Sequence, residues 1–425
     1  DHYGLDAEWE RRLRPHVGRI MVIDDLANRI HDCDLLLDQN FAVEGGNRYY
    51  SLLPERCRLL SGPRYALLGP EFSTHRKFLR YRRAEIKRVL VFFGGSDAPN
   101  LTGLALQALA STDLRDTTVD VVVGKNNLHR QEIEQQTGGR PNTTIYGHLP
   151  NLANLIANAD LAIGAAGTTT WERMCLGLPA VVVSIAENQR PSAEALAAAH
   201  LIYYAGHVSE ISRHHLTKLL QQLSQATEDL LELSIRSQRQ VDGLGALRVV
   251  ETLCPTPTKE IRLRAARAED AVAYYDWAHD PVVRKNAINA RSFSWASHQT
   301  WFTSKLQSVD TYLFVLEAAG LPVGQIRFDT HAGEASIHYS LDEFVRGRGW
   351  GSRLVALGIE HMSQTSLRRL CAVVRTENKA SHAVFLRLGF SVSESPSGDF
   401  LVYGLDCMAA DRRQRPHSYQ QDSTQ

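Results

Sequence analysis

The 425-residue chain lacks an excess of charge of either sign, since 47 Lys and Arg balance 47 Asp and Glu. A neutral chain has no general attraction to nucleic acid or to anionic membrane, so neither is expected as a partner. Long hydrophobic runs are missing too. The longest, around Pro179 to Ala186, falls well short of a bilayer span. Cysteine is sparse: the six, at 33, 57, 175, 254, 371 and 407, show no paired spacing. That pattern suits a reducing cytoplasm, without a disulfide framework or a zinc site. Neither a targeting segment nor an internal repeat is found. The chain opens on Asp rather than Met, with a helix-like stretch and then a buried strand from Ile20 to Ile23. The expectation is a fragment whose first unit lies upstream.

A chain of this length should hold two or three domains. Strand-like runs alternate with helical stretches from Ile20 to about Tyr204, as at Val89 to Phe93, Thr118 to Val123, Leu161 to Ile163 and Ala180 to Val183. Such alternation predicts a parallel sheet with crossover helices. Leu216 to Val250 reads as amphipathic helix. Residues 251–259 carry two prolines and read as a linker, and a fresh unit begins at about 260. The organisation expected is a partial Rossmann-like lobe over 1–85, a nucleotide-binding Rossmann-like lobe over 86–250, a second α/β domain over 260–408 and a disordered tail over 409–425. Residues 75–88 hold seven Lys or Arg. They read as a solvated connector, with an anion-binding stripe as the alternative.

The densest chemical signal lies in residues 334–390. Arg346, Gly347, Arg348, Gly349, Gly351 and Ser352 follow a strand-like stretch, Glu334 to Leu341, and open a helical one. Glycine lets backbone approach a pyrophosphate, and first-turn amides of a helix offer it free donors. Asn378, Ser381, Phe385 and Gly389-Phe390 follow one strand later. The order and spacing resemble the GNAT family of N-acetyltransferases across about residues 260–408. The resemblance implies acetyl-CoA as cofactor, held at the pyrophosphate by 346–352 and along its arm by Asn378 and Ser381. Phe385 stands where many members carry a tyrosine general acid, so either another group, such as Tyr339 or a water, serves instead, or the thiolate leaves unaided. Glu334, His338 and Glu377 are candidate bases. Trp277, Asp280, Arg284, His298 and Trp301 match a W-x-x-D-P-x-V-R…H-x-x-W pattern of amino-sugar acetyltransferases. Arg284 could hold a phosphate as a fork. Alternatively, the tryptophans are core of the first helices.

In the front half, Gly164, Gly167 and Thr168 sit between a strand and a helix beginning near Thr169. Such a turn offers donors to a diphosphate. Glu172, on the first turn, could accept both hydroxyls of a ribose, and Asn188 and Gln189 could meet a sugar. Gly95 and Ser96 form a second small turn after Val89 to Phe93. An ordinary α/β turn with a capping Thr is the bland alternative. The segments DHYGLDAEWE, IDDLANRIHDCDLLLDQN, GPRYALLGPEF, FFGGSDAPNLTG and Gly164 to Leu196 occur in this order. Together they resemble the GT-B-type UDP-2,4-diacetamido-2,4,6-trideoxy-β-L-altropyranose hydrolases of pseudaminic acid biosynthesis, over about residues 1–250. The resemblance implies two Rossmann-like lobes, the first incomplete, and hydrolysis of a UDP-sugar without metal. It places the family's base histidine upstream of Asp1 and aligns Tyr3 with an active-site tyrosine. With that base missing, a chain that binds UDP-sugar but hydrolyses it poorly is expected.

Both resemblances fit one pathway. The expected protein is a cytoplasmic α/β enzyme that acetylates a UDP-linked amino sugar and hydrolyses the product. The alternatives are a front half that only binds UDP-sugar, a front-half glycosyltransferase, and a C-terminal acetyltransferase acting on protein N-termini. The sequence gives no oligomeric state.

Overall fold

The computed structural model describes residues 2–43, 45–79, 85–140, 142–289, 291, 293–394 and 398–407. The tail expected to be disordered, 409–425, lies outside them, as do 80–84 of the basic segment. The chain divides into two compact units, Asp1–Cys254 and Pro255–Gln425. Among the described residues no helix is long and apolar enough to cross a membrane.

The first unit opens with a helix, Ala7–Leu13, whose N-cap Asp6 accepts from the amides of Glu8 and Trp9. Strands β1 (Met21–Ile23), β2 (Leu35–Asp38) and β3 (Arg58–Ser61) then pair in parallel, in that order. A second sheet follows: β4 (Arg88–Phe92), β5 (Thr118–Val122), β6 (Thr143–Tyr146), β7 (Leu161–Ala165), β8 (Ala180–Ser184) and β9 (Tyr203–His207). Its order is β6-β5-β4-β7-β8-β9, all parallel. Strand order reverses between β4 and β7, and the crevice beyond the C-terminal ends of such strands is where open α/β sheets bind ligands.

The second sheet is buried on both faces. Val89, Val91, Ile163, Val181 and Val183 pack into one core. Leu90, Ala162 and Val182, the alternate residues, pack into the other. This two-sided burial is why its strands read as unbroken apolar runs. The stretch expected to be helical from Leu216 to Val250 is three helices, Arg213–Gln225, Thr227–Gln240 and Gly245–Leu253. Val249 of the last packs with Leu35, Leu37 and Leu60 of the first sheet. Of the basic segment, Arg76 donates to the carbonyls of Cys175 and Gln238, and Arg88 pairs with buried Asp120. Those two cations are therefore structural.

The second unit holds β10 (Arg262–Ala265), β11 (Thr311–Ala318), β12 (Leu321–His331), β13 (Glu334–Leu341), β14 (Arg369–Arg375), β15 (Ser391–Glu394) and β16 (Phe400–Asp406). Their order is β10-β11-β12-β13-β14-β16-β15. All neighbours are antiparallel except β13 and β14. That parallel pair is joined only from Glu334↔Arg369 to Ser336↔Cys371. Beyond it the strands part, leaving the β14-facing edge of Ile337 to Leu341 without a partner strand. Unpaired strand edges carry free amide donors and carbonyl acceptors. Helix Trp350–Met362 buries Leu354, Val355, Gly358 and Met362, and Ile359 is half-buried.

Candidate functional sites

A cavity of about 920 Å³ opens in the second unit where β13 and β14 separate. Its floor includes Ile337, Tyr339 and Leu341 from β13 and Ala372 and Val374 from β14. Gly347, Gly349, Gly351 and Ser352 close one end. Gly347 and Gly349 have φ of 80° and 77°, a left-handed conformation that only glycine adopts cheaply. These turns swing the chain into helix Trp350–Met362, whose first-turn residues Trp350, Gly351 and Ser352 line the cavity. Gly349→Val would strain that turn by about 1–2 kcal/mol. Its expected signature is a KM for acetyl-CoA raised by at least about tenfold in steady-state kinetics.

Of the two arginines expected on the pyrophosphate, Arg346 lines the cavity while holding protein partners, and Arg348 does not line it. Arg346 donates through Nε and Nη2 to the Leu341 carbonyl and pairs with Asp280 at 2.9 Å. Arg348 lies over the rings of Phe344 and Trp350 and does not line the cavity. Gly347, Gly349, Gly351 and Ser352 bring main chain to this end of the cavity beside Arg346. Asn378 lines the cavity and caps helix Lys379–Arg387, its Oδ1 accepting from the Ser381 amide at 3.2 Å. Its side-chain NH2 is left to donate.

The Tyr339 hydroxyl donates to Ser381 Oγ at 2.9 Å. Burial raises the phenol above its ordinary pKa, with the Ser381 bond opposing. Phe385 is buried core, stacked on Tyr403 with ring centres 5.3 Å apart. Ser381 and Tyr339 therefore form a protic pair beside the position from which the phenol is missing. Glu334, expected as a base, does not reach the cavity. It sits at the end of β13 that is still paired with β14, 4.0 Å from Cys371 Sγ. Glu377 also lies outside, whereas His338 lines the cavity. Burial, helped by Arg327, pushes the His338 imidazole down to about 4, so it is neutral at neutral pH. Its Nε2 is 3.8 Å from Asp329. Burial would raise the Asp329 carboxyl, but the Lys305 hydrogen bond and the Arg327 charge hold it below its ordinary value.

On the acceptor side, Trp277 is structural: its Nε1 donates to Asp342 Oδ2 at 2.8 Å, away from the cavity. Arg284 lines the cavity, yet its Nη2 is bound to the carbonyls of Asn289 and Arg291. It straps that loop instead of presenting an open fork. Trp301 lines the cavity with Arg327 over its ring. His298 is 3 % exposed, bonded through Nε2 to the Ala271 carbonyl, and lowered to about 4 by burial.

The first unit has a polar cleft of about 290 Å³. Tyr3, Asp24, Asp25 and Asn40 line it from the side of the first sheet; Gly167, Thr168, Thr170, Asn188 and Gln189 line it from the second. The Tyr3 hydroxyl accepts from Asn188 Nδ2 at 3.2 Å and lies beside the Asp25 carboxylate. Partial burial and that carboxylate raise its pKa. Asn40 Nδ2 donates to Asp25 Oδ2 at 3.3 Å. Asp24 is buried, held by the Tyr49 hydroxyl and by Arg29 at 2.8 Å, and fixes the end of β1. Gln189 uses its Oε1 on the Ile185 amide, leaving its NH2 free.

Four expected ligand residues sit elsewhere. Gly95 and Ser96 lie in an exposed turn outside this cleft, above Asp97, which caps the next helix through the amides of Leu101 and Thr102. Gly164 is inside β7, where an added Cβ would lie 2.4 Å from both the Phe92 carbonyl and Arg173 Nη1. Its smallness serves packing. Glu172 is off the cleft, its carboxyl pushed up by burial with Arg173 partly offsetting, and its Oε2 has no hydrogen-bond partner. Asp25, Asn40 and Thr170 were not anticipated. The acidic pair after Ile23 and the Asp38-Gln39-Asn40 run were visible in the sequence, but nothing local says which of their side chains faces the cleft. Among the described residues no group of three or more His, Cys, Asp or Glu could hold a metal ion.

Residues 260–391 match the family described as "Acetyltransferase (GNAT) domain", and 88–244 match "Glycosyltransferase family 28 C-terminal domain". An uncharacterized Methanocaldococcus jannaschii protein is 24 % identical over 423 residues, 95 % of this chain and 83 % of that protein. The spore coat polysaccharide biosynthesis protein SpsG of Bacillus subtilis is 26 % identical, covering 61 % of this chain and 77 % of its own. A UDP-2,4-diacetamido-2,4,6-trideoxy-beta-L-altropyranose hydrolase of Campylobacter jejuni is 25 % identical over 198 residues, 46 % of this chain and 69 % of that protein. The chain thus joins a glycosyltransferase family 28 C-terminal domain, in a parallel Rossmann-like α/β unit, to a GNAT acetyltransferase domain.

Proposed function

We propose that this is a bifunctional cytoplasmic enzyme of pseudaminic acid biosynthesis. The second unit transfers acetyl from acetyl-CoA to the 4-amine of a UDP-4-amino-4,6-dideoxy sugar. The first binds the resulting UDP-diacetamido sugar and hydrolyses it slowly to UDP and free sugar, without a metal as the family resemblance implies. The observation that carries the reading is the pairing, on one chain, of the cavity at the β13–β14 split with a polar inter-sheet cleft. The hydrolase reading draws on the name of the Campylobacter jejuni relative.

In acetyl transfer, main-chain donors at 347–352 hold the pyrophosphate and the open edge of β13 aligns the arm. Neutral His338, directly or through water, accepts the proton that the amine loses as its nitrogen bonds to the acetyl carbon. As the carbon–sulfur bond breaks, Ser381 Oγ gives its proton to the thiolate and is refilled from Tyr339. In hydrolysis, water oxygen bonds to the anomeric carbon as the bond to the diphosphate oxygen breaks; UDP leaves, and the proton lost by the water passes to bulk solvent, which keeps the step slow. Tyr3, set between Asn188 and Asp25, orients water and sugar, while the Gly167 to Thr170 turn takes the diphosphate.

A competition assay tests the acceptor class. The UDP-4-amino sugar should be acetylated at least about a hundredfold more efficiently, by kcat/KM, than a peptide bearing a free N-terminus. A preference for the peptide would overturn the reading.

A further inference from the structure

Arg173 is the least expected group in the first unit. It is 3 % exposed, and Nη2 donates to the Ala165 carbonyl at 2.7 Å and to Thr170 Oγ1 at 3.0 Å. Its Nε has no partner. Glu172 bears on it electrostatically but makes no ion pair with it, and burial biases that carboxyl towards neutrality. A buried cation without a counter-ion is costly, and a merely structural position would favour an apolar side chain. Burial lowers its pKa to about 10, so it stays charged at neutral pH.

The charge lies behind the turn that walls the polar cleft. Thr170 connects the two: it is 3 % exposed, lines the cleft, and accepts from Arg173. Among the described residues its hydroxyl proton has no protein acceptor. With Oγ1 already receiving a charged donor, the O–H is the part left to point at a ligand, and the guanidinium polarises it. An anion held by this hydroxyl would bring negative charge towards Arg173.

We infer that Thr170 is a phosphate-binding hydroxyl in the cleft and that Arg173, acting through it, is the buried positioning residue that charges this donor for the diphosphate of a nucleotide sugar. The inference rests on the nucleotide-sugar reading above and adds to it the Thr170 side-chain hydroxyl and Arg173. Thr170 bonds the anion; Arg173 never touches it.

Calorimetric titration of the full chain with UDP and with uridine tests this. The wild-type chain must bind UDP; if it does not, the nucleotide-sugar reading itself fails, and the inference with it. Given wild-type binding, Thr170→Val and Arg173→Met should each weaken UDP at least about tenfold while uridine changes less than about twofold. Arg173→Lys keeps the charge and should hold UDP affinity within about threefold of wild type. Retained uridine binding in each variant reports an intact first unit. UDP binding by Thr170→Val at wild-type strength would overturn the inference, as would Arg173→Lys falling as far as Arg173→Met. Should Arg173→Met not fold, Thr170→Val decides alone.

Discussion

Tyr339→Phe will lower kcat for acetyl transfer by about a hundredfold and leave KM for acetyl-CoA within about twofold, the signature of lost proton transfer with binding kept. The phenyl ring stays, still edge-on to Phe385 with ring centres 5.9 Å apart, so the cavity wall is preserved. What goes is the hydroxyl that refills Ser381. Ser381→Ala should cost a similar factor, and the double variant should be scarcely slower than either single one, because the two act as one donor. Additive losses would show two independent roles. The pH profile has a definite sign. Tyr339 must be protonated to act, and burial raises its pKa from the ordinary phenol value, so its loss of rate comes at more alkaline pH than a free phenol would give. On the acid side, His338 titrates at about 4, so it remains a neutral acceptor above about pH 5.

Tyr3→Phe should reduce UDP release from the UDP-diacetamido sugar by about a hundredfold while acetyl transfer proceeds at the wild-type rate. The phenol bridges Asn188 and Asp25 across the cleft, and phenylalanine removes both links at little cost to folding because Tyr3 is 59 % exposed. Asn188→Ala should give part of the same loss. Acetyl transfer is spared because its cavity is lined wholly by residues of the second unit. Coupled UDP-release and thiol-release assays on the same samples read both rates. Equal loss in both would contradict the assignment of separate sites.

How much of this was legible in the sequence follows from the range of the forces involved. β13 runs from Glu334 to Leu341 as its alternation predicts, and the turn glycines announce the helix beginning at Trp350. Both are local: one depends on side-chain period, the other on backbone that only glycine tolerates. The reassigned residues depend on tertiary distances. Glu334 is on the correct strand but at its closed end, because the split between β13 and β14 begins only after Ser336. Trp277 falls within the expected pattern, yet the Asp342 carboxylate, 65 residues away, claims its donor. Gly164 resembles a ligand-contacting glycine, whereas the Phe92 carbonyl and Arg173 occupy the space beside it. Arg173 was invisible for the same reason: a charged residue in mid-helix reads as surface until the fold buries it.

The most direct test of the central claim is one NMR or intact-mass time course, with purified chain, acetyl-CoA and the UDP-4-amino-4,6-dideoxy sugar in one tube. The account predicts an acetylated UDP-sugar first, followed by UDP and free diacetamido sugar as that intermediate declines. An amine that stays unmodified, or UDP released while the amine is still free, would contradict it.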